Sequence, residues 1–168
     1  MIKCGSDYRT VAVIGCQSSG KSTLLNLLFD TKFEVMDAST GSRQQTTKGI
    51  WLNRNADGNL LVLDIEGTDS KERGEQRMTF EQTTSLFALA IADVLLINMW
   101  TSDIGRYGAS NYGLLKVIFE VNLKLFEQHS SKKLVFVLRD FDGKAPENIK
   151  NLIGADIRNI WSEILKPD

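Results

Sequence analysis

The stretch Gly15-Cys16-Gln17-Ser18-Ser19-Gly20-Lys21-Ser22 matches the phosphate-loop pattern G-x-x-x-x-G-K-[ST] at each of its fixed positions. An apolar run, Val11–Ile14, precedes it, and Thr23–Phe29 follows with a sequence suited to a helix. A strand, a glycine-rich turn and a helix in this order are the context that the motif requires. The stretch therefore predicts a loop that wraps around a polyphosphate.

The residue types in this loop have defined physical roles. Glycines let the backbone approach phosphates closely enough for N–H groups to surround them, and the helix N-terminus adds partial positive charge. Lys21 is expected to place a full charge against the β- and γ-phosphates, and the Ser22 hydroxyl to ligate Mg²⁺. The residues predicted to contact the nucleotide here are Gly15, Gln17, Ser18, Ser19, Gly20, Lys21, Ser22 and Thr23.

Composition and charge narrow the class of protein. The chain has 168 residues, 42% hydrophobic and 24% charged, which is ordinary for one soluble globular domain. A net charge of −1 offers no bulk attraction for nucleic acid or an anionic membrane. Cys4 and Cys16 form no disulfide framework, which indicates a cytosol-facing location, and the single His129 supports neither a metal cluster nor a histidine-based triad.

Apolar runs alternate with helical patterns along the chain, which is typical of a parallel sheet covered by helices. The expected strands are Thr10–Gly15, Gly49–Asn53, Leu60–Glu66, Val94–Met99 and Lys133–Arg139. The expected helices are Lys21–Phe29, Thr79–Ala90, Leu114–Glu127 and Asn148–Leu165. We therefore predict an α/β fold of the three-layer phosphate-loop NTPase type, with a mostly parallel sheet and helices on both faces.

A second part of the site is predicted where the apolar run 61–65 ends in Asp64-Ile65-Glu66-Gly67, a D-x-x-G sequence. Beside a phosphate loop, such an aspartate can hold the Mg²⁺ hydration shell, and such a glycine lets its N–H approach the γ-phosphate. Thr47, at the end of the polar loop 37–47, is expected to complete the Mg²⁺ shell. The predicted metal ligands are Ser22, Thr47 and Asp64, and the predicted catalytic residues are Lys21, Thr47 and Gly67.

The base-reading element is less obvious, because the chain contains no N-K-x-D sequence. The apolar strand 134–138 instead ends in Arg139-Asp140. A carboxylate can accept hydrogen bonds from N1–H and the 2-amino group of guanine, and adenine offers neither donor. Arg139 could stack its planar guanidinium on the base. Asp140 is the predicted guanine reader, and Asp142 is the alternative.

These pieces together resemble the G domain of large dynamin-related GTPases. The branch is the atlastin-like endoplasmic-reticulum fusion GTPases of the root-hair-defective type, and guanylate-binding proteins are more distant. The segments that carry the resemblance are Gln17–Asn26, Arg43–Trp51, Asp64–Asp69, Glu72–Glu75, Leu95–Trp100 and Phe136–Asp140.

The resemblance implies a GTPase that uses GTP and Mg²⁺, and whose G domains pair as a nucleotide-dependent homodimer across their nucleotide sites. It implies action in fusion of endoplasmic-reticulum membranes, with the G domain facing the cytosol. It also implies that residues 1–168 form a single G domain that stops before the guanine cap. Membrane attachment would then come from family segments, a helical bundle and a membrane hairpin, that this chain lacks.

Two positions depart from the families concerned. Ser18 stands where atlastins and guanylate-binding proteins have a catalytic arginine, and Thr68 stands where small GTPases have a hydrolytic glutamine. Another arginine could supply the missing charge, and the candidates in the polar loops 37–47 and 67–77 are Arg43, Arg73 and Arg77.

Two other functions stay open at this point. One is a GTP-dependent dimerisation module with little hydrolysis, because the arginine and the glutamine are missing. The other is an ATP-using phosphate-loop protein such as a small kinase, although neither an acceptor-binding domain nor an arginine-rich lid is evident in the sequence.

Overall fold

The computed structural model describes residues 8–35, 47–67, 77–105, 113, 115–120 and 132–164. The strands are β1 (Arg9–Gly15), β2 (Ile50–Arg54), β3 (Leu60–Ile65), β4 (Val94–Trp100) and β5 (Lys133–Arg139). The helices are α1 (Lys21–Phe29), α2 (Arg77–Ile91), α3 (described over 115–120) and α4 (Pro146–Ile164), with a short 3-10 turn at Thr101–Asp103.

The strands form one sheet in the order β2-β3-β1-β4-β5. β1 is central and pairs in parallel with β3 and β4, β4 pairs in parallel with β5, and only β2 runs antiparallel to its neighbour β3. The carboxyl ends of β1, β3, β4 and β5 therefore lie at the same edge of the sheet. Ligands of open α/β sheets bind at this edge.

The two faces of the sheet are buried against different helices, because side chains alternate between faces along each strand. Val11 and Val13 of β1 pack with Leu25 of α1 in one core cluster. Ala12 and Ile14 face the opposite way, into a second cluster that holds residues of the other helices, among them Leu89, Ile118 and Ile160. Helix, sheet and helix thus form three layers, and the predicted α/β fold is confirmed.

The spans of α1 and β5 match the expected ones, and the boundaries of the other strands and of α2 and α4 differ from the expected ones by at most two residues. α4 begins at Pro146 instead of Asn148, since proline suits the first turn of a helix. α2 begins at Arg77 instead of Thr79, so Arg77 lies in a helix and its expected place in a polar loop was wrong. Within the described ranges, no helix is both long and apolar enough to cross a bilayer.

Candidate nucleotide site

The phosphate loop connects β1 to α1 at the carboxyl edge of the sheet. Its backbone turns through two left-handed conformations, at Ser18 (φ 58°) and at Gly20 (φ 76°), the residue that precedes α1. Ser19 lies between them with 1% of its surface exposed, and its Oγ donates to the carbonyl of Cys16 over 2.7 Å. Left-handed backbone of this kind produces the concave arrangement of N–H groups that binds anions.

Lys21 is buried beneath this loop. Its Nζ donates to the carbonyls of Cys16 and Gly15 over 2.9 and 3.2 Å. Loss of hydration lowers the pKa of Lys21 from its ordinary value, and the nearby Asp64 carboxylate partly opposes that shift. A polyphosphate held by the loop would give this buried ammonium group an anionic partner.

Three oxygen-bearing side chains meet beside the loop. Asp64 Oδ2 accepts from Ser22 Oγ over 2.5 Å and from Thr47 Oγ1 over 3.1 Å, and the two hydroxyl oxygens lie 3.4 Å apart. Burial raises the pKa of Asp64, while its hydrogen bond from Ser22, the charge of Lys21 and its hydrogen bond from Thr47 oppose the rise. The structure thus brings together the three residues that the sequence predicted as metal ligands.

The second carboxylate oxygen supplies a test of whether Mg²⁺ fits here. Asp64 Oδ1 is buried and has no hydrogen-bond partner within the described ranges. Buried polar atoms are rarely left unpaired, so such an atom calls for an explanation. Hard carboxylate and hydroxyl oxygens are the ligands that Mg²⁺ prefers. The donor set of Ser22, Thr47 and Asp64 therefore fits Mg²⁺.

The end of β3 lies directly against the phosphate loop. A methyl group added to Gly67 would collide with the backbone of Gln17, its carbon only 2.6 Å from the Gln17 nitrogen. Only glycine allows the D-x-x-G segment to approach the loop this closely.

Two residues that were not predicted as site residues, Gly49 and Glu66, are joined by hydrogen bonds beside the loop. The Glu66 N–H donates to the carbonyl of Gly49 over 2.8 Å, and the Gly49 N–H donates to Glu66 Oε2 over 2.7 Å. This pair of bonds joins the segment of Thr47 to the segment of Gly67. One signal in the sequence could have identified Glu66, because its carboxylate comes directly after the apolar run of β3. In the structure Glu66 is 3% exposed.

Asn98 was also not predicted as a site residue, although it lies in the segment Leu95–Trp100 that carries part of the family resemblance. It lies in β4 with 0% of its surface exposed, and its side chain contacts Ser19 of the phosphate loop.

The predicted base-reading residues lie at the end of β5, on the other side of the loop. A methyl group added to Gly20 would lie 3.1 Å from Arg139 Nη2, so the guanidinium borders the phosphate loop. Thr101 Oγ1 donates to the Arg139 carbonyl over 2.7 Å and fixes the strand end. Asp140 follows with φ 54° and is exposed.

The alternative base reader, Asp142, is engaged in a local turn. Its Oδ1 accepts from the Lys144 N–H over 2.9 Å, and its Oδ2 lies 3.5 Å from Lys144 Nζ. This arrangement favours Asp140 over Asp142. Of the other predicted residues, Thr23 is exposed in the first turn of α1. Arg43, Thr68 and Arg73 lie outside the described residues.

Known proteins resemble this chain over nearly its whole length. The family described as "Root hair defective 3 GTP-binding protein (RHD3) GTPase domain" matches residues 14–168. The SEY1 homolog of Dictyostelium discoideum is 51% identical over 172 residues, which cover 98% of this chain and 19% of that protein. ROOT HAIR DEFECTIVE 3 of Oryza sativa subsp. japonica is 49% identical over 169 residues, with 99% and 21% covered. The chain thus spans about a fifth of the length of the curated relatives it matches.

Solved structures share the fold. A variant of Era from Aquifex aeolicus bound to GDP·AlF4⁻ superposes with a TM-score of 0.54 at 23% identity, covering 95% of this chain and 50% of that one. Era in complex with MgGDPNP and a fragment of 16S ribosomal RNA gives a TM-score of 0.51 at 22% identity, with 92% and 48% covered. The chain therefore belongs to the root hair defective 3 family, and it is a GTPase domain with the three-layer α/β fold of phosphate-loop GTPases.

Proposed function

We propose that this domain binds GTP together with Mg²⁺ and hydrolyses it to GDP and phosphate. The observation that carries the proposal is the cluster of Ser22, Thr47 and Asp64, whose oxygens lie within 3.4 Å of one another beside the buried Lys21. An ammonium group and a hard-oxygen cluster at one loop suit a metal-bound triphosphate.

The catalytic contribution of the chain is positioning and charge. The loop N–H groups and Lys21 would hold the β- and γ-phosphates, and the Gly67 N–H would approach the γ-phosphate. Ser22, Thr47 and Asp64 would hold Mg²⁺, which when bound would supply charge that neutralises the triphosphate. A water oxygen would bond to the γ-phosphorus while the bond from this phosphorus to the bridging oxygen breaks, and the water would give up a proton to the solvent, which leaves GDP and inorganic phosphate.

Guanine selection is assigned to the end of β5. The exposed carboxylate of Asp140 would accept from N1–H and the 2-amino group, and Arg139 would stack on the base. Membership of a GTP-binding family favours this assignment over the ATP-using alternative.

We also propose the role of the full-length protein from the resemblance. The domain would face the cytosol at the endoplasmic-reticulum membrane, and membrane attachment would come from other parts of the polypeptide. It would pair with a second copy through the face that holds the nucleotide, and this pairing would serve homotypic membrane fusion. Sedimentation of the purified domain with GDP and with GDP·AlF4⁻ tests the pairing, and a monomer under both conditions would contradict it.

Multiple-turnover phosphate release tests the enzymatic proposal directly. Purified protein should release many equivalents of phosphate from GTP in the presence of Mg²⁺. Lys21→Ala should lower GTP affinity at least about 100-fold, since it removes a buried charge that pairs with phosphate. Lys116→Ala is the matched control, because Lys116 pairs with Glu163 between α3 and α4, away from the phosphate loop.

The outcomes separate the alternatives. An equal rate for Lys21→Ala and the unchanged protein would contradict catalysis at this loop. Tight GTP binding without turnover would leave the dimerisation module as the function. Equal displacement of a labelled nucleotide by ATP and GTP would favour the ATP-using alternative.

A further inference from the structure

Asn98 is an asparagine in the interior of the sheet. Its neighbours in β4 are apolar, and Leu95, Ile97 and Met99 are buried with it. Burying a carboxamide in such surroundings costs free energy unless its hydrogen bonds are replaced within the protein. The hydrogen bonds that Asn98 makes within the protein therefore indicate what its side chain contributes.

Both of its donated bonds go to one residue of the phosphate loop. Asn98 Nδ2 donates to the Ser19 carbonyl over 2.9 Å and to Ser19 Oγ over 2.8 Å. A carbonyl oxygen can only accept, so the amide group has to point its nitrogen at Ser19. Asn98 Oδ1 is buried and has no partner within the described ranges. The side chain therefore acts as a donor to the loop.

The bonds continue from Ser19 to the lysine. Ser19 Oγ, which accepts from Asn98, donates to the Cys16 carbonyl over 2.7 Å, and Lys21 Nζ donates to the same carbonyl over 2.9 Å. Asn98 is also the β-ladder partner of Gly15, the first residue of the motif. One residue of β4 thus holds the loop at its start and in its middle.

This support matters because the loop backbone is unfavourable by itself. Ser18 has φ 58°, in a region where non-glycine residues persist only when their surroundings enforce the conformation. Ser19 directly follows Ser18, so bonds to the Ser19 carbonyl and hydroxyl restrain the peptide unit beside it.

We propose that Asn98 is a positioning residue that holds the phosphate loop in its nucleotide-binding conformation. This inference rests on the proposed function insofar as the ligand is a magnesium nucleotide. Asn98 acts through Ser19, and it restrains the loop equally for GTP and GDP, since both present the β-phosphate.

The first test compares two asparagines. Asn98→Ala should raise the Kd of MgGTP and of MgGDP by the same factor, about tenfold to a hundredfold, while kcat at saturating GTP changes less than about threefold. Asn26→Ala is the matched control. Asn26 lies in α1, and its side chain makes three hydrogen bonds of comparable length with Thr31 and Phe33, which lie in the loop after α1. Its Kd values should stay within about twofold of the unchanged protein.

A second measurement is independent of nucleotide. Hydrogen–deuterium exchange of the amides of residues 16–20, followed in nucleotide-free protein, should be faster in Asn98→Ala and unchanged in Asn26→Ala. If Asn98→Ala does not fold, Asn98→Ser replaces it, since its shorter side chain cannot reach both Ser19 acceptors. A double substitution, Asn98→Ala with Ser19→Ala, should be less damaging to Kd than the sum of the single effects.

Failure of the two proposals would look different. If the unchanged protein binds no nucleotide, the proposed function fails and the exchange experiment still decides the role of Asn98. If loop exchange and Kd in Asn98→Ala equal those of the unchanged protein, the positioning role is wrong. It is equally wrong if Asn26→Ala raises Kd as much as Asn98→Ala does.

Discussion

Two regions of this site differ in burial: the phosphate corner, which contains Lys21 and Asp64, and the base end, which contains Arg139 and Asp140. In the phosphate corner, Lys21 and Asp64 are buried, and their partners come from the phosphate loop, α1 and the segment before β2. At the base end, Asp140 is exposed and follows a single strand. Electrostatic interactions strengthen where water is excluded. We therefore expect the phosphate corner to provide most of the affinity and the base end mainly the choice of base.

Among the substitutions that compare these two regions, the largest effect is expected from crowding the phosphate corner. In Gly67→Ala the added methyl group collides with the backbone of Gln17, so the loop has to shift and GTP affinity should fall about 100-fold. Titration with a fluorescent GTP analogue measures this loss. Gly113→Ala is the control, because a methyl group there meets no atom of the described residues within 4 Å. Unchanged GTP affinity in Gly67→Ala would show that the phosphate loop can shift to accommodate the methyl group without loss of binding.

Removing the charge of Asp64 should have opposite effects on the stability of the nucleotide-free protein and on its affinity for MgGTP. Its pKa is raised by burial, so the native state binds this proton more readily than the unfolded state. The stabilisation that comes with protonation is present at low pH and is lost as pH rises through the raised pKa. Asp64→Asn should therefore raise the melting temperature of nucleotide-free protein at neutral pH, and the difference should shrink as the pH falls.

The same variant should lose affinity for MgGTP by about 30-fold, since a charged ligand of the metal is gone. Melting curves at several pH values and calorimetry with and without Mg²⁺ check both parts. A melting temperature below that of the unchanged protein at neutral pH would show that the partners of Asp64 outweigh its burial.

At the base end, Asp140→Asn should lower the preference for GTP over ATP by about tenfold. The effect is limited to this size because water competes for the hydrogen bonds of an exposed carboxylate. An asparagine amide can donate to the 2-oxo group of xanthosine triphosphate, so this nucleotide should bind better to the variant than to the unchanged protein. Asp142→Asn, which keeps an acceptor for the Lys144 N–H, is the control and should leave the preference unchanged. A preference altered only by Asp142→Asn would reverse the assignment.

The smallest effect is expected from Arg139→Ala. Stacking of a guanidinium on a base depends little on which base is present, so GTP and ATP should each bind about threefold more weakly. Displacement of a labelled nucleotide by both competitors measures this. A change confined to GTP would give Arg139 a role in base selection and make the base end more specific than its exposure suggests.

Prediction from sequence was most successful where the signal is local. The span of α1, Lys21–Phe29, was predicted to the residue, because the motif defines its start and the apolar pattern its length. Prediction failed at Arg77, where a polar stretch already forms the first turn of α2. Glu66 and Asn98 were not selected, because a single polar residue within or after an apolar run carries no sign of its partner.

Motif and periodicity are properties of short segments, so the phosphate loop, the alternation of strands and helices and the candidate residues Ser22, Thr47 and Asp64 could be predicted from the sequence alone. Which of these residues come into contact depends on how the strands and helices are arranged in the fold. The parallel register of β1 with β3 and β4 brings Asp64 to Ser22 across 42 residues and Asn98 to Ser19 across 79. Contacts of this kind depend on strand order and register, which arise from burying both faces of the sheet at once and not from any one segment.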